Sequence, residues 1–223
     1  MITSLQFQMF IRELELEVDN ETKTLQVDQQ YEGDTGVVVW DAAIVLTKYL
    51  ETISEKLKGS KIVELGAGTG AVGQSAAVLG AASVILTDQE ELVEFLNHNI
   101  DLNKDVLGQE NDVVAMPLKW GDNDQIKSAL KRIEAVKYIL VSDCVFYQES
   151  VEDLVETLYV LADDATEVIL TYEERDSQIK LDVMKLFFEK MKSHFSWLKI
   201  PHAEHHPDYQ SPDIQIFIFK LLN

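Results

Sequence analysis

The chain has 223 residues, enough for one sizeable core and one domain. Its 19 Lys plus Arg stand against 39 Asp plus Glu, a formal charge of −20. Such a surface lacks the cations that displace counterions from nucleic acid or settle on anionic lipid, so neither partner is expected; a basic partner or plain solubility remains.

Cys144 is the one cysteine, which rules out an intramolecular disulfide and a multi-cysteine zinc site. A reducing, cytoplasmic setting is the expectation. The opening MITSLQFQMFIRELELEVDN has no basic head followed by an unbroken apolar stretch, so no signal peptide is expected. No run approaches the ~18 apolar residues of a membrane span. A hydrophobic content of 46% implies a packed core.

Residues 13–18 alternate charged and apolar, as a half-buried strand does. Residues 19–22 predict a turn and 24–27 a returning strand. A loop with Gly33 and Gly36 follows, then the β-like apolar run 37–40. Ile44, Leu46, Tyr49, Leu50, Ile53 and Leu57 form a helical stripe. Residues 61–65 are a strand that enters a glycine-rich turn, and 71–79 a small-residue helix ending near Gly80. A strand at 83–87 precedes a helix marked by Leu92, Phe95, Leu96, Asn99 and Ile100, whose acidic start suits the helix dipole. Strands follow at 112–118 and 138–142, with 121–136 read as a loop between them. Val151, Leu154, Val155, Leu158 and Leu161 predict a helix, 167–172 a strand, and Leu181, Met184, Phe188 and Met191 a helix.

The end changes character. Residues 195–200 and 214–219 are apolar strands joined by PHAEHHPDYQSPD, which has no helical pattern. Alternating strands and helices build a parallel sheet covered on both faces; a final strand pair without a helix adds one antiparallel strand. The expected fold is α/β, a doubly wound, mostly parallel seven-stranded sheet with one antiparallel strand. One domain is expected over 1–223, with an N-terminal β extension at 1–36 and a Rossmann-like core at 37–223.

The most informative stretch is Ile62-Val63-Glu64-Leu65-Gly66-Ala67-Gly68-Thr69-Gly70. A strand runs into alternate glycines and a helix leaves them. Absent side chains admit a ligand to the backbone, and the helix start offers free amides. Asp88 ends the next strand, where a carboxylate can accept both hydroxyls of a ribose. A tight turn with a capping acid is the bland alternative. Gly68 to Gly73 also matches the GxGxxG dinucleotide pattern. Against a nicotinamide enzyme stand Glu64, two residues before the first glycine, and a length with little room for a hydride-acceptor domain.

Five pieces make a wider pattern: Val38-Val39-Trp40-Asp41-Ala42-Ala43; Glu64 to Gly70 with Val72-Gly73; Leu118-Lys119-Trp120-Gly121; Asp143-Cys144-Val145-Phe146-Tyr147; and Tyr172-Glu173-Glu174-Arg175. With them the chain, from about Val38 to Phe219, resembles the seven-strand S-adenosylmethionine-dependent methyltransferases. Within these it is similar to the methyltransferase-like 21 group of protein lysine methyltransferases. The resemblance implies S-adenosyl-L-methionine as cofactor, with Trp40, Glu64, Gly66, Ala67, Gly68, Asp88, Trp120 and Ser142 around it. It implies Asp143 and Tyr147 beside the departing methyl group. Its implied product is a lysine methylated up to the trimethyl form on the hexameric AAA ATPase valosin-containing protein.

Each residue also has a structural reading. Asp143 precedes a helical stripe and could be its N-cap. Trp40 and Trp120 could be core. Phe146 and Tyr147 could wall a channel for an aliphatic lysine stem, or one could pack inward. Glu173 and Arg175 could form an ion pair at the strand end. Cys144 reads as a small packed residue. The histidines at 202, 205 and 206 fit no zinc spacing and read as a surface loop; no metal is expected. The alternatives in function are a small-molecule methyltransferase and a cofactor-binding module without activity.

Overall fold

Asp19 and Asn20 both take positive φ, 52° and 67°, the backbone of a two-residue hairpin turn. The turn is tighter than the four residues expected, so pairing resumes at once: β1 (Met9–Val18) meets β2 (Glu21–Gln30) antiparallel, with Val18 opposite Glu21. The computed structural model describes residues 9–30, 35–108 and 112–222; Gly33 and the first eight residues lie outside them. The hairpin is a sheet of its own. Its alternate residues Leu14, Leu16, Leu25 and Val27 are buried, as the period of two requires.

The main sheet is built from β3 (Lys61–Leu65), β4 (Ser83–Asp88), β5 (Asp112–Pro117), β6 (Tyr138–Ser142), β7 (Glu167–Glu173), β8 (Phe195–Lys199) and β9 (Ile214–Leu221). Their order is β5-β4-β3-β6-β7-β9-β8. Pairing is parallel from β5 through β7, and β9 runs antiparallel to both its neighbours. This is the expected α/β sheet, with β9 as its one antiparallel strand among the described residues. The order reverses direction between β3 and β6, a topological switch point where such sheets open a crevice at their carboxyl ends.

Helices cover both faces. The hairpin, α1 (Asp41–Thr52) and α3 (Ala71–Val78) share one core with Leu96 of α4 (Glu90–Leu102). The other core takes α6 (Asn123–Arg132), α7 (Val151–Leu161) and α8 (Gln178–Met191). Four-residue helices α2 (Ser54–Leu57) and α5 (Lys104–Leu107) follow α1 and α4, so the stripe read from Ile44 to Leu57 breaks at Ile53. No helix among the described residues is long and apolar enough to cross a membrane.

Three expectations are corrected. Residues 37–40 are no strand: a 3₁₀ turn, Thr35–Val37, leads to Trp40, whose extended backbone precedes α1 and whose carbonyl accepts from Ala43 and Ile44. Residues 121–136 are not a loop, because Asp122 caps α6 by accepting from the amides of Asp124 and Gln125. The histidine segment is not all surface: His205 is buried, its Nε2 3.3 Å from the Ile200 carbonyl.

The hairpin is stitched to the main domain by buried amides. Asn99 of α4 accepts from the Asp28 amide at 2.8 Å and donates to the carbonyls of Asp28 and Thr69. Asn103 holds Gln26 by its amide and carbonyl. Thr69 belongs to the glycine turn, so Asn99 ties β2 to that turn directly. Asn99→Ala strands these backbone groups in a buried place and should cost about 1–3 kcal/mol. Thermal unfolding measures the loss, and hydrogen exchange should show it concentrated in β2; an unchanged melting temperature would refute the stitch.

Candidate active site

Gly66, Gly68 and Gly70 all take positive φ, so the chain can turn sharply as it leaves β3 and enters α3. Two carboxylates hold the turn. Asp88 accepts the Gly68 amide at 2.8 Å through one oxygen and the Gln89 amide at 2.7 Å through the other. Glu64 accepts the Gly73 amide at 2.8 Å, one turn into α3. Glu64 is 2% exposed, and burial, reinforced by the charge of Asp88 and opposed by the Gly73 amide, pushes its carboxyl up to about 8.

A strap crosses in front of the turn. A Cβ on Gly68 would lie 2.7 Å from the Gly36 carbonyl oxygen, so the two backbones touch and no side chain fits between them. Trp40 closes the strap by donating its indole N–H to the Thr35 carbonyl at 2.9 Å. The Val39 amide is held by buried Gln29 of β2 at 2.8 Å. The hairpin therefore anchors the strap at one end.

Turn and strap bound a cavity of about 470 Å³, within the range of small-ligand sites. Trp40, Glu64, Gly66, Ala67, Gly68, Asp88, Trp120 and Ser142 all line it. So do Asp143 and Tyr147, together with Phe146. The structure thus gathers in one cavity every residue singled out in the sequence for cofactor or catalysis. It adds Gly36, Val39, Leu92, Leu118, Asp153 and Arg175. Of these, Gly36 carried a sequence signal as part of a glycine loop, and Val39, Leu118 and Arg175 lay inside the motif pieces; Leu92 read as one position of a helical stripe, and Asp153 gave no signal.

The far wall begins where β6 ends. Asp143 has φ of +53°, a left-handed backbone uncommon for a residue with a side chain. Its amide donates to the Thr171 carbonyl. Its side chain is 8% exposed and takes Arg175 in a two-pronged pair, at 3.1 and 2.5 Å. The Glu173 amide adds a contact at 3.3 Å. The helix-cap alternative fails: no helix starts at Asp143, the next turn is the 3₁₀ segment Gln148–Ser150, and α7 follows from Val151. The expected Glu173–Arg175 pair is present at 3.0 Å, but Arg175 reaches Asp143 as well. The Asp143 carboxylate, opposed by burial and aided by Glu173, holds the pKa of the Arg175 guanidinium above its ordinary value. Cys144 points its thiol at backbone carbonyls of β3 and β6, and burial raises it well above the usual thiol range, so it is packed and unreactive.

The fold is a Rossmann-like doubly wound sheet with a ligand-sized cavity at its carboxyl edge. Solved structures share the fold: an O-methyltransferase from Bacillus cereus in complex with SAH aligns at a TM-score of 0.56 and 14% identity, over 85% of this chain and 84% of that one. A ribosomal protein L11 methylase from Lactobacillus delbrueckii aligns at 0.53 and 17%, over 79% and 78%. Residues 19–194 match the model of the lysine methyltransferase family, and the chain belongs to that family. Protein N-lysine methyltransferase METTL21A of Mus musculus is 36% identical over 80% of this chain and 81% of its own length. EEF1A lysine methyltransferase 3 of Xenopus tropicalis is 31% identical over 68% and 64%.

Glu64 gives the site a pH signature. Between its unfolded value near 4.5 and its folded value of about 8, the folded chain keeps a proton that the unfolded chain releases. Stability therefore falls as pH rises through that window. Glu64→Gln keeps an acceptor for the Gly73 amide and removes the titration. The melting temperature of the ligand-free variant should fall less between about pH 5 and pH 8 than that of wild type; parallel curves would refute the assignment.

Proposed function

We propose that this enzyme is an S-adenosylmethionine-dependent protein-lysine N-methyltransferase, with both binding sites in one domain over 1–223. Its proposed acceptor is a lysine of the AAA ATPase valosin-containing protein, methylated up to the trimethyl form. The observation that carries the reading is a single cavity bounded by the glycine turn with Asp88 on one side and by Asp143, Phe146 and Tyr147 on the other. The acceptor class rests on relatives whose names specify protein lysine. The particular acceptor rests on the resemblance of the five motif pieces, those of Trp40, Trp120 and Asp143-x-x-Phe146 among them, to the valosin-containing protein lysine methyltransferase.

The donor set fits the cofactor. Asp88 stands at the carboxyl end of β4 in the cavity lining, the place from which a carboxylate can accept ribose hydroxyls. Leu92 and Leu118 offer apolar walls to a base. Trp40, Glu64, Gly66, Ala67, Gly68, Trp120 and Ser142 complete the proposed shell. Bound there, S-adenosylmethionine supplies a methyl group on a sulfonium already activated for attack.

The acceptor side must present a neutral amine. With a pKa of ~10.4, about one lysine in 2,500 is neutral at pH 7. Phe146 and Tyr147 flank the path of the aliphatic stem and strip water from the ammonium. Asp143, already gripped by Arg175, aims the amine by accepting its remaining N–H groups, and the released proton passes to water. Alignment by such a fixed acceptor can contribute several kcal/mol.

Labelled S-adenosylmethionine, incubated with the enzyme and either cell extract or purified valosin-containing protein, tests the reading. A labelled protein is expected, and a label on that ATPase names the acceptor. Label on a metabolite, or none, would overturn it.

Two variants probe the halves of the site. Asp88→Ala should weaken S-adenosylmethionine and SAH by roughly 1.5–3 kcal/mol in calorimetry, and wild type should not bind NAD; equal affinities would move the ribose contact elsewhere. Asp143→Asn keeps the size and loses the charge. Methyl transfer should drop by roughly 10²-fold with cofactor affinity little changed. Near-normal turnover in a variant of normal melting temperature would remove Asp143 from the chemistry.

A further inference from the structure

Lys180, in the first turn of α8, has an unusual position for a lysine in so acidic a chain. Among the described residues no carboxylate lies within ion-pair distance of it. Its Nζ stands 2.9 Å from the centre of the Phe146 ring and donates to the Phe146 carbonyl at 2.9 Å. The Tyr147 ring is 5.5 Å away. The nearby acids are engaged elsewhere: Glu173 with Arg175, and Glu174 with the Tyr172 hydroxyl. A strongly hydrated ammonium gives up water here for one carbonyl and an aromatic face.

The ring it holds belongs to the cavity wall. Phe146 lines the large cavity, whose lining does not include Lys180; Lys180 instead lines a small cleft between β7 and α8. Arg175 approaches the same ring at 5.3 Å while it grips Asp143. Phe146 in turn meets Tyr147 edge to face at 5.0 Å, and Tyr147 is 52% exposed at the mouth. Phe146 and Tyr147 sit in a segment without regular structure, between β6 and the 3₁₀ turn, so no backbone ladder fixes them. The contact from α8 supplies what the ladder does not.

We propose that Lys180 is a positioning residue for the acceptor: by clamping Phe146, it sets the Phe146–Tyr147 wall at the distance from Asp143 that an incoming lysine stem requires. The proposal rests on the reading that the acceptor enters past these two rings. It assigns Lys180 to the acceptor and not to the cofactor, because its contacts are confined to that wall and it touches neither the glycine turn nor Asp88.

Lys180→Met keeps the length of the stem and removes the charge; Lys180→Arg keeps a cation. The assay uses the protein that wild type labels. The Met variant should lose about tenfold in kcat/KM for that protein, mainly through KM, while its calorimetric affinity for SAH and its melting temperature stay at wild-type values. The Arg variant should recover most of the loss. Unchanged acceptor kinetics in the Met variant would overturn the proposal, as would a parallel loss of SAH affinity and melting temperature, or no recovery with Arg. A wild-type chain that labels no protein would sink the functional reading and this wall with it; an active wild type with an indifferent Met variant sinks Lys180 alone.

Discussion

Two carboxylates hold the backbone that leaves β3, and the carboxyl edge of the sheet is arranged around that restraint. Asp88 fixes the Gly68 amide and Glu64 fixes the Gly73 amide, so the turn cannot flatten without losing buried hydrogen bonds. A turn held this firmly can carry other backbone at contact distance, and Gly36 takes that place. The strap then brings Thr35 and Trp40 to the cavity. From the other direction, Asn99 links the same turn to β2, and Gln29 of β2 holds Val39. The small N-terminal sheet is therefore part of the cavity's frame, and the acids that bound the proposed cofactor site also build its floor.

The proposed acceptor side has a different electrostatic design. A chain of charge −20 could have lined this wall with open carboxylates, which would stabilise a lysine ammonium and oppose its deprotonation. Instead the carboxylate of Asp143 is covered by a guanidinium in two-pronged contact, a geometry that spends charge on direction. Its backbone is left-handed, a conformation that persists where surrounding contacts impose it; here the Thr171 carbonyl, the Glu173 amide and Arg175 do so. Asp143 is thus a rigid carboxylate partly neutralised by Arg175, which in the proposed role suits it to orienting an amine more than to pulling a proton from it.

How much of this could be read from the sequence varied with the physical carrier of each feature. The strands Lys61–Leu65 and Tyr138–Ser142 stand out as short continuous apolar runs, and the helix Val151–Leu161 because its apolar spacing is periodic over its whole length. Helix α6 does not, since only Ile126 and Ala129 of it are buried; its signal is the cap at Asp122, a single residue. Residues 37–40 are apolar because they pack beside the cavity, which mimics a strand in a short window. The cavity residues were legible as motifs around the glycines. The partner of Asp143 was not: Arg175 lies 32 residues away, and its neighbour Glu173 offered a nearer explanation. Lys180 gave no signal at all, because a lysine on a helix is ordinarily a solvated surface residue.

The mouth of the cavity bears on the size of the acceptor. Trp40 and Tyr147 both line it and remain 43% and 52% exposed. Trp and Tyr are enriched among the anchors of protein interfaces, and these two stand together at one cavity. A small acceptor swallowed by the cavity would not cover the outer halves of these rings; a lysine carried on a protein surface would, because the surface arrives with the side chain. The overall negative charge then acts at a different stage. Charges spread over the surface are screened within about 8 Å at physiological salt, so they raise the rate of encounter with a basic patch more than they strengthen the docked state. Proposed selection of the acceptor is thereby divided: long-range charge gathers lysine-bearing surfaces, and the short-range fit of one stem between Phe146, Tyr147 and Asp143 decides which of them reacts.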